Sequence, residues 1–281
     1  MNPKGEVTVK SVELLYCQID SSCPDVVAVV AISREEAANS FNGDVILGLT
    51  KAFLEVAQIP QVRALVLKGR GKHFSAGADL GWMKDAAKLS YEENLTDAGH
   101  LTQMFEALYR LKVPTIALLH GSVFGGAVGL AACCDIVLAE ARTKFCLSEV
   151  KLGLLPAVIY PYLAQRIHRG PLRRLSVTAR LFSAEEALSF GLVDRVFESE
   201  TRARVLIEEL NLILAAGPQA VTLLKTLHQT LETNNFMQCD ETAKAISQAR
   251  TSSEGQAGLA SFFAKQQAPW ACKLPEEWDL P

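Results

Sequence analysis

The hydrophobic and polar positions in the first two thirds of the chain alternate between short β-branched runs and longer segments with helical spacing. Residues 26–33 (VVAVVAIS) and 62–68 (VRALVLK) are almost wholly apolar, which is typical of strands buried on both faces of a sheet. Between them, residues 44–58 carry apolar side chains at helical spacing, and Asp44 stands where a helix N-terminus favours negative charge. The first of these segments therefore predicts a strand over 26–33, a helix over 44–58 and a second strand over 62–68.

The same alternation continues through the next segment. A helix is predicted over 91–111, a strand over 115–119, a buried helix over 124–134 and a strand over 135–139. The third of these segments is small and apolar on every side, which is typical of a helix enclosed by other elements. Repeated β-then-α order predicts an α/β fold with mostly parallel strand pairing.

The pattern changes after about residue 197. Residues 198–267 show helical periodicity and almost no strand signal, with predicted breaks at Gly217–Pro218 and Asn234–Asn235. We therefore predict an α/β core over 1–197 and a helical region over 198–281. The apolar stripes of those helices need a partner, either the core or a neighbouring subunit.

Composition and charge narrow the function classes. The chain has 281 residues, 49% hydrophobic and 21% charged, which suits a large globular core. A net charge of -3 without a basic tract argues against nucleic-acid binding. No apolar run predicts a membrane span, and the first ten residues do not resemble a secretory signal, so a cytoplasmic location is expected. Seven cysteines without a CxxC pair or a histidine at zinc-ligand spacing predict reduced thiols and no metal site.

Two glycine-containing turns carry the candidate chemistry. The first is HFSAGADL (73–80), after the strand predicted at 62–68, and the second is HGSVFGGAVGL (120–130), after the strand at 115–119. At a strand-to-helix junction, backbone N–H groups can point at an anion. Either turn alone would also fit an ordinary tight connection, but two brought together could bind one developing oxyanion.

These turns are followed by CCDIVLAE (133–140), TKFCLSEVKLGLLPA (143–157) and SSEGQAGLASFFAKQQAPW (252–270). The ordered set resembles the crotonase, or enoyl-CoA hydratase/isomerase, superfamily along nearly the whole chain. The resemblance implies a ββα spiral core, a helical C-terminal trimerisation region, and homotrimers or homohexamers. It also implies an acyl-CoA thioester substrate and no separate cofactor, because coenzyme A is part of the substrate.

The resemblance also implies roles for individual residues. The N–H groups of Ala78 and Gly126 would polarise the thioester carbonyl and stabilise the enolate, and losing one such donor costs roughly 3–4 kcal/mol. Ala76, Asp79 and Trp82 would contact substrate around the first turn. For the coenzyme A end, the basic residues that match best are Lys72 and Lys265. The two histidines that precede the turns, His73 and His120, are expected to be structural.

The most informative departure from the family concerns its two acid–base glutamates. One matches Glu149, whereas the position of the other is Gly129. Segments such as AGADLGWMKD and FCLSEVKLGLLPAVIYPYL look closest to bacterial hydratases of methylglutaconyl-CoA and isohexenylglutaconyl-CoA. Both of those substrates carry an extra carboxylate, for which Gly129 is expected to leave space.

Four functions remain open at this stage. The leading prediction is a hydro-lyase acting on a branched, carboxylated enoyl-CoA of leucine or terpene breakdown. A single glutamate would also suffice for a Δ3,Δ2-enoyl-CoA isomerase, in which Glu149 moves a proton between C2 and C4. A glutaconyl-type decarboxylase needs the oxyanion hole but not two glutamates. A non-catalytic acyl-CoA-binding protein is the alternative outside the enzymes.

Overall fold

The computed structural model describes residues 7–9, 11–20, 23–233, 239–276 and 278. Its strands are β1 (Val7–Val9), β2 (Val12–Gln18), β3 (Val26–Ile32), β4 (Val62–Gly69), β5 (Thr115–Leu119), β6 (Ser122–Phe124), β7 (Ile136–Glu140), β8 (Lys144–Cys146), β9 (Phe182–Ser183) and β10 (Arg195–Phe197). Its α-helices are α1 (Gly43–Val56), α2 (Leu80–Ala86), α3 (Tyr91–Tyr109), α4 (Gly126–Cys133), α5 (Tyr160–Arg166), α6 (Arg169–Thr178), α7 (Ala184–Ser189), α8 (Arg202–Ala215), α9 (Pro218–Thr233), α10 (Cys239–Thr251) and α11 (Ser253–Phe263).

A seven-stranded sheet in the order β1-β2-β3-β4-β5-β7-β10 forms the centre of the fold. Strands β3, β4, β5, β7 and β10 pair in parallel, whereas β1, β2 and β3 pair antiparallel. The predicted α/β class with mostly parallel pairing is therefore confirmed. Strands β1 and β2 were not predicted, because β1 is three residues long and β2 (VELLYCQ) mixes buried and half-buried positions without a clear period.

The sheet is covered on both faces, which explains why β3 is apolar throughout. All seven residues of β3 are buried, and successive side chains of a strand point to opposite faces. Ala28 and Val30 belong to one core, together with residues of α1, α3 and α4. Val27 and Val29 belong to a second core, together with residues of α8.

A small second sheet positions the segments around the glycine turns. Its order is β6-β8-β9, with β6 parallel to β8 and β8 antiparallel to β9. Strand β6 lies inside the second glycine turn, and β8 ends three residues before Glu149. These strands are two or three residues long, so their sequences carry no usable period-2 signal.

The elements described after β10 are helical, beginning with a short 3₁₀ turn. Helix α8 buries Val205, Leu206 and Leu210 against the second face of the sheet. The predicted break at Gly217–Pro218 is confirmed, since α8 ends at Ala215 and α9 begins at Pro218. The break predicted at Asn234–Asn235 lies outside the described residues.

The helices in the described part of the chain differ from typical membrane spans. Among the described residues, no single helix is long and apolar enough to cross a bilayer. One pair of consecutive helical segments, 199–215 and 218–232, reaches that length and apolar content together, but the two segments are bent by 95° relative to each other. The apolar content of the first helix of that pair is explained by its packing on the sheet.

Candidate active site

The parallel pairing of β4 and β5 brings the two glycine turns to one edge of the sheet. Leu65 pairs with Thr115 and Lys68 with Leu118, so both strands end at the same edge. The turn after β4 and the turn after β5 are then joined by backbone hydrogen bonds. Ser75 N donates to Ser122 O at 3.1 Å, and Phe124 N donates to Ser75 O at 3.1 Å.

Glycine is required where these turns touch. Gly77 has φ +91°, and a Cβ on it would lie 2.9 Å from the carbonyl oxygen of Phe124. Real Cβ atoms avoid both this backbone conformation and this distance. Gly125, with φ +53°, lies under the carboxylate of Glu149. The approach of the two turns therefore depends on residues without side chains.

The backbone N–H of Ala78 points away from Phe41, the residue that pairs with it. Phe41 N donates to Gly77 O at 2.7 Å, and Asp79 N donates to Phe41 O at 2.8 Å, as a parallel bridge between Phe41 and Ala78. Neighbouring N–H groups along an extended chain point in opposite directions, so the Ala78 N–H faces the other side. Ala78 itself is exposed, which leaves this donor accessible to a ligand.

Gly126 supplies the second candidate donor. It is the first residue of α4, and N–H groups in the first turn of a helix have no acceptor within that helix. The two preceding N–H groups are already used, by Ser75 O and Cys146 O. A Cβ on Gly126 would lie 2.9 Å from the ring of Phe41, the residue that also brackets Ala78. Convergence of both donors on one oxygen stays a prediction.

Glu149 carries the carboxylate of the site. It opens a 3₁₀ turn shortly after β8, and its Oε1 lies 3.2 Å from the position of a Cβ on Gly125. Its Oε2 is buried without a hydrogen-bond partner in the described residues. Burial raises the pKa of Glu149, against a smaller lowering by its own backbone N–H. A half-buried carboxyl with one unpartnered oxygen, beside the predicted oxyanion donors, is typical of a general acid or base.

The space beside Gly129 is filled, contrary to the expectation from sequence. A Cβ on Gly129 would lie 2.2 Å from Cγ2 of Ile159 and 3.0 Å from Cε1 of Phe105. Both of these side chains are buried in the core. The expectation that Gly129 leaves room for a substrate carboxylate is therefore wrong, whereas a contact between Gly129 and substrate stays a prediction. An apolar wall stands where the family's second glutamate would project.

Asp79 has a structural role in this site, and its contact with substrate stays a prediction. Its Oδ1 accepts the N–H of Trp82 at 2.9 Å and caps α2, while its Oδ2 accepts from Arg34 at 2.8 Å. The cap and the Arg34 guanidinium hold the pKa of Asp79 below its usual range. Because both oxygens are engaged by the protein, the carboxylate holds the first turn in place.

The other residues predicted to contact substrate differ in how exposed they are. Ala76 is half-buried, and its N–H donates to Ala38 O at 2.9 Å. Trp82 packs partly buried against the core beside this turn. Lys72 is exposed at the start of the turn, and Lys265 is exposed just after α11. Their contacts with substrate stay predictions.

The two histidines are held by the backbone, as expected. Ser122 N donates to Nδ1 of His73 at 3.1 Å, and Nε2 of His120 lies 2.9 Å from Gly71 O. Both bonds connect segments of the two turns. The residues that sequence reasoning missed are Arg34, Phe41 and Ile159, because each lies far along the chain from the residue that it contacts.

A large groove of about 1060 Å³ lies elsewhere, between α1, α3 and the helices that follow β10. It shares no lining residue with the glycine turns or Glu149.

Comparison with known proteins agrees with this geometry. Residues 23–273 match the family model for enoyl-CoA hydratase/isomerase. The chain is 34% identical over 204 residues to a putative enoyl-CoA hydratase of Thermus thermophilus, covering 72% of this chain and 79% of that protein. It is 30% identical over 253 residues to a crotonyl-CoA hydratase of Syntrophomonas wolfei, covering 88% and 95%.

Solved structures agree with the fold. An enoyl-CoA hydratase from Shewanella pealeana superposes with a TM-score of 0.86 at 34% identity, covering 93% of this chain and 96% of that one. The expected crotonase architecture is therefore confirmed. The chain belongs to the enoyl-CoA hydratase/isomerase family of the crotonase superfamily and is an enzyme of the hydro-lyase type acting on acyl-CoA thioesters.

Proposed function

We propose that this enzyme adds water to a branched enoyl-CoA bearing a second carboxylate, of the 3-methylglutaconyl-CoA type, or removes it in reverse. The observation that carries the proposal is the asymmetry of the site. Glu149 is a half-buried carboxyl with a raised pKa, and the position of the second family glutamate is Gly129, packed under Ile159. Hydration needs one group to take a proton from water and another to deliver a proton to C2.

In this proposal the substrate supplies the missing carboxylate. Ala78 and Gly126 donate to the thioester oxygen, so that negative charge moves onto it as water attacks C3. The substrate carboxylate accepts the proton from that water, and protonated Glu149 delivers its proton to C2. Solvent then restores the proton of Glu149 and takes the one left on the product. The net change is addition of one water.

The filled space beside Gly129 limits where that carboxylate can lie. Ile159 and Phe105 form an apolar wall, and burying an unpaired charge against such a wall is strongly unfavourable. The substrate carboxylate therefore stays on the water-accessible side of the site, beside the attacking water.

One observation favours a second function, Δ3,Δ2-enoyl-CoA isomerisation. That reaction needs a single base and no bound water, which suits a site with one carboxyl and apolar side chains packed where the second glutamate would project. Glu149 would remove a proton from C2 and return it to C4 while the same oxyanion donors stabilise the dienolate.

We also propose that the enzyme assembles as a homotrimer or a pair of trimers through its C-terminal helices. Leu224, Ile246, Leu259, Phe262 and Phe263 on α9–α11 are 43–78% exposed in the isolated chain. Exposed apolar side chains of this number are typical of a surface that another protein covers. Sedimentation at micromolar concentration should give three or six chains, and a monomer would contradict the assembly.

A panel of three thioesters separates the candidate reactions. Purified enzyme is incubated with crotonyl-CoA, 3-hexenoyl-CoA and 3-methylglutaconyl-CoA, and products are identified by mass and chromatography. The proposal predicts a product heavier by one water, and fastest turnover of the carboxylated substrate. Conversion of 3-hexenoyl-CoA at unchanged mass would favour the isomerase, and loss of CO₂ would indicate a decarboxylase.

A further inference from the structure

Two cysteines from opposite ends of the chain meet on the second face of the sheet. Cys23 precedes β3 and is buried, and Cys272 is half-buried near the C-terminus. Their Sγ atoms are 2.7 Å apart, within about 0.7 Å of the bond length of a disulfide, ~2.05 Å. They are 249 positions apart in sequence, so cysteine spacing could not predict the contact.

Cys272 belongs to residues 268–276, which we call the C-terminal strap. The strap follows α11 and returns to the core, where Leu274 is buried. Arg63, buried in β4, donates to Trp270 O at 2.9 Å, and Leu274 N donates to Asn211 Oδ1 at 2.8 Å. The strap is therefore built against the sheet by hydrogen bonds as well as packing.

The strap also supports the last helix. A Cβ on Gly258 of α11 would lie 2.6 Å from Cη2 of Trp270, so the helix rests directly on the indole ring. Trp270 Nε1 in turn donates to Ala215 O at the end of α8, at 3.3 Å. A covalent bond at Cys272 would therefore fix the strap and, through Trp270, the packing of α11.

Metal binding is the competing explanation of this cluster. Cys23, Asp25 and Cys272 each offer a ligand atom, all within 4.8 Å of one another. Two thiolates on one zinc, at about 2.3 Å each and in tetrahedral geometry, stand roughly 3.7 Å apart, and the two sulfurs here are closer. Asp25 is also paired with Arg63 at 3.0 Å. The geometry fits a bond between the sulfurs better than a shared zinc.

We propose that Cys23 and Cys272 are a redox site that forms an intramolecular disulfide and locks the C-terminal strap. With oxidised glutathione as oxidant, one thiolate attacks a glutathione sulfur and releases the first glutathione thiolate. The second cysteine thiolate then attacks the mixed disulfide and releases the other. Two cysteine thiols are oxidised to one disulfide, one glutathione disulfide is reduced to two thiols, and the two protons that the cysteines lose end on the two released glutathione thiolates.

The reaction should be slow at neutral pH and faster in base. Burial, with the neighbouring Cys23 sulfur, raises the pKa of Cys272 to about 11, and only the thiolate is the attacking species. The less buried Cys272 is the accessible partner for first attack. Once it is part of a mixed disulfide, the adjacent Cys23 completes the bond.

The test uses the full-length enzyme with oxidised glutathione at about pH 8.5. Free thiols are then blocked by alkylation, and the digest is examined by mass spectrometry without reduction. Cys23→Ser and Cys272→Ser remove one partner each. Cys17→Ser is the matched control, since Cys17 is half-buried on the adjacent strand β2 and takes no part in the pair.

The proposal predicts a linked peptide containing Cys23 and Cys272 in the wild type and in Cys17→Ser, and none in the other two variants. The oxidised wild type should unfold roughly 5 °C or more higher than the reduced form. Recovery of both cysteines as alkylated residues after oxidation would overturn the proposal. Bound zinc that is lost in both variants and prevents oxidation of the wild type would overturn it in favour of a metal site.

Discussion

One side of the candidate active site is polar and the other is apolar. On one side, backbone N–H groups of the glycine turns and the Glu149 carboxyl offer polar atoms that are not satisfied by the protein. On the other side, Gly129 is sealed by Ile159 and Phe105. The polar side is general to the family's chemistry, because any acyl-CoA needs its thioester oxygen stabilised. The apolar side lacks one proton-transfer group, and in the proposed function this lack selects which substrates react.

The largest effect is expected from the polar side. Glu149→Gln keeps the size of the side chain but cannot deliver a proton, so kcat should fall by roughly 10²–10⁴-fold. Coenzyme A ester binding, measured by calorimetry, should change little. Asp85→Asn, an exposed carboxylate on α2, is the control and should keep wild-type turnover. A near-normal kcat in Glu149→Gln would show that a group other than Glu149 performs the acid–base step.

The glycine turns should be the next most sensitive. Gly77→Ala places a Cβ 2.9 Å from Phe124 O at φ +91°, so the first turn must shift and carry the Ala78 N–H with it. A misplaced oxyanion donor should lower kcat by about 10²-fold. Gly43→Ala, at a glycine with nothing within 4 Å of the added Cβ, is the matched control. Equal activity of the two variants would indicate that Ala78 N–H is not an oxyanion donor.

Substitutions on the apolar side can introduce the second glutamate that the family's hydratases have. Gly129→Glu alone should destabilise the fold by several kcal/mol, as overpacked cores do, because its Cβ overlaps Ile159. Combining it with Ile159→Ala provides space. The double variant should hydrate crotonyl-CoA about 10-fold faster than Ile159→Ala alone, since the protein now supplies a second proton-transfer group. No gain over that single variant would show that the absent glutamate does not limit hydration of this substrate.

The smallest effect concerns stability and pH. Because burial raises the pKa of Glu149, the folded state holds this proton more tightly than the unfolded state does. Its contribution to stability is therefore greatest at low pH and is lost as pH rises from the unfolded pKa through the folded one. At pH 8 the Tm of Glu149→Gln should be higher than that of the wild type. This difference in Tm should disappear near pH 4, below the unfolded pKa of about 4.3. A gap independent of pH would contradict the raised pKa.

Local sequence patterns located the strands and the glycine turns better than they located the long-range contacts around them. Strands β3, β4, β5 and β7 are mostly apolar runs, so these strands and the glycine turns after β4 and β5 could be located from local pattern alone. The family resemblance implied roles for Ala78 and Gly126 in those turns and for Glu149 in the segment after β8. Ile159 packs on Gly129 from thirty residues away, and Arg34 reaches Asp79 from 45 positions away. No local periodicity encodes such contacts, so the ion pair of Asp79 and the filled space beside Gly129 could not be predicted from the sequence.

The same limit applies to the C-terminal strap. Its residues show no regular period, and their placement follows from hydrogen bonds to Asn211 and Arg63 that only the folded chain brings together. The meeting of Cys23 and Cys272 is a consequence of that placement.

The central claim is that the substrate's own carboxylate replaces the missing glutamate, and one pair of substrates tests it most directly. 3-Methylglutaconyl-CoA and 3-methylcrotonyl-CoA share the branched enoyl thioester and differ by the distal carboxylate. Hydration rates of the wild type on both, measured at the same pH, give the ratio of kcat/KM. We predict a ratio of roughly 10² or more in favour of the carboxylated thioester. Equal values would contradict the account.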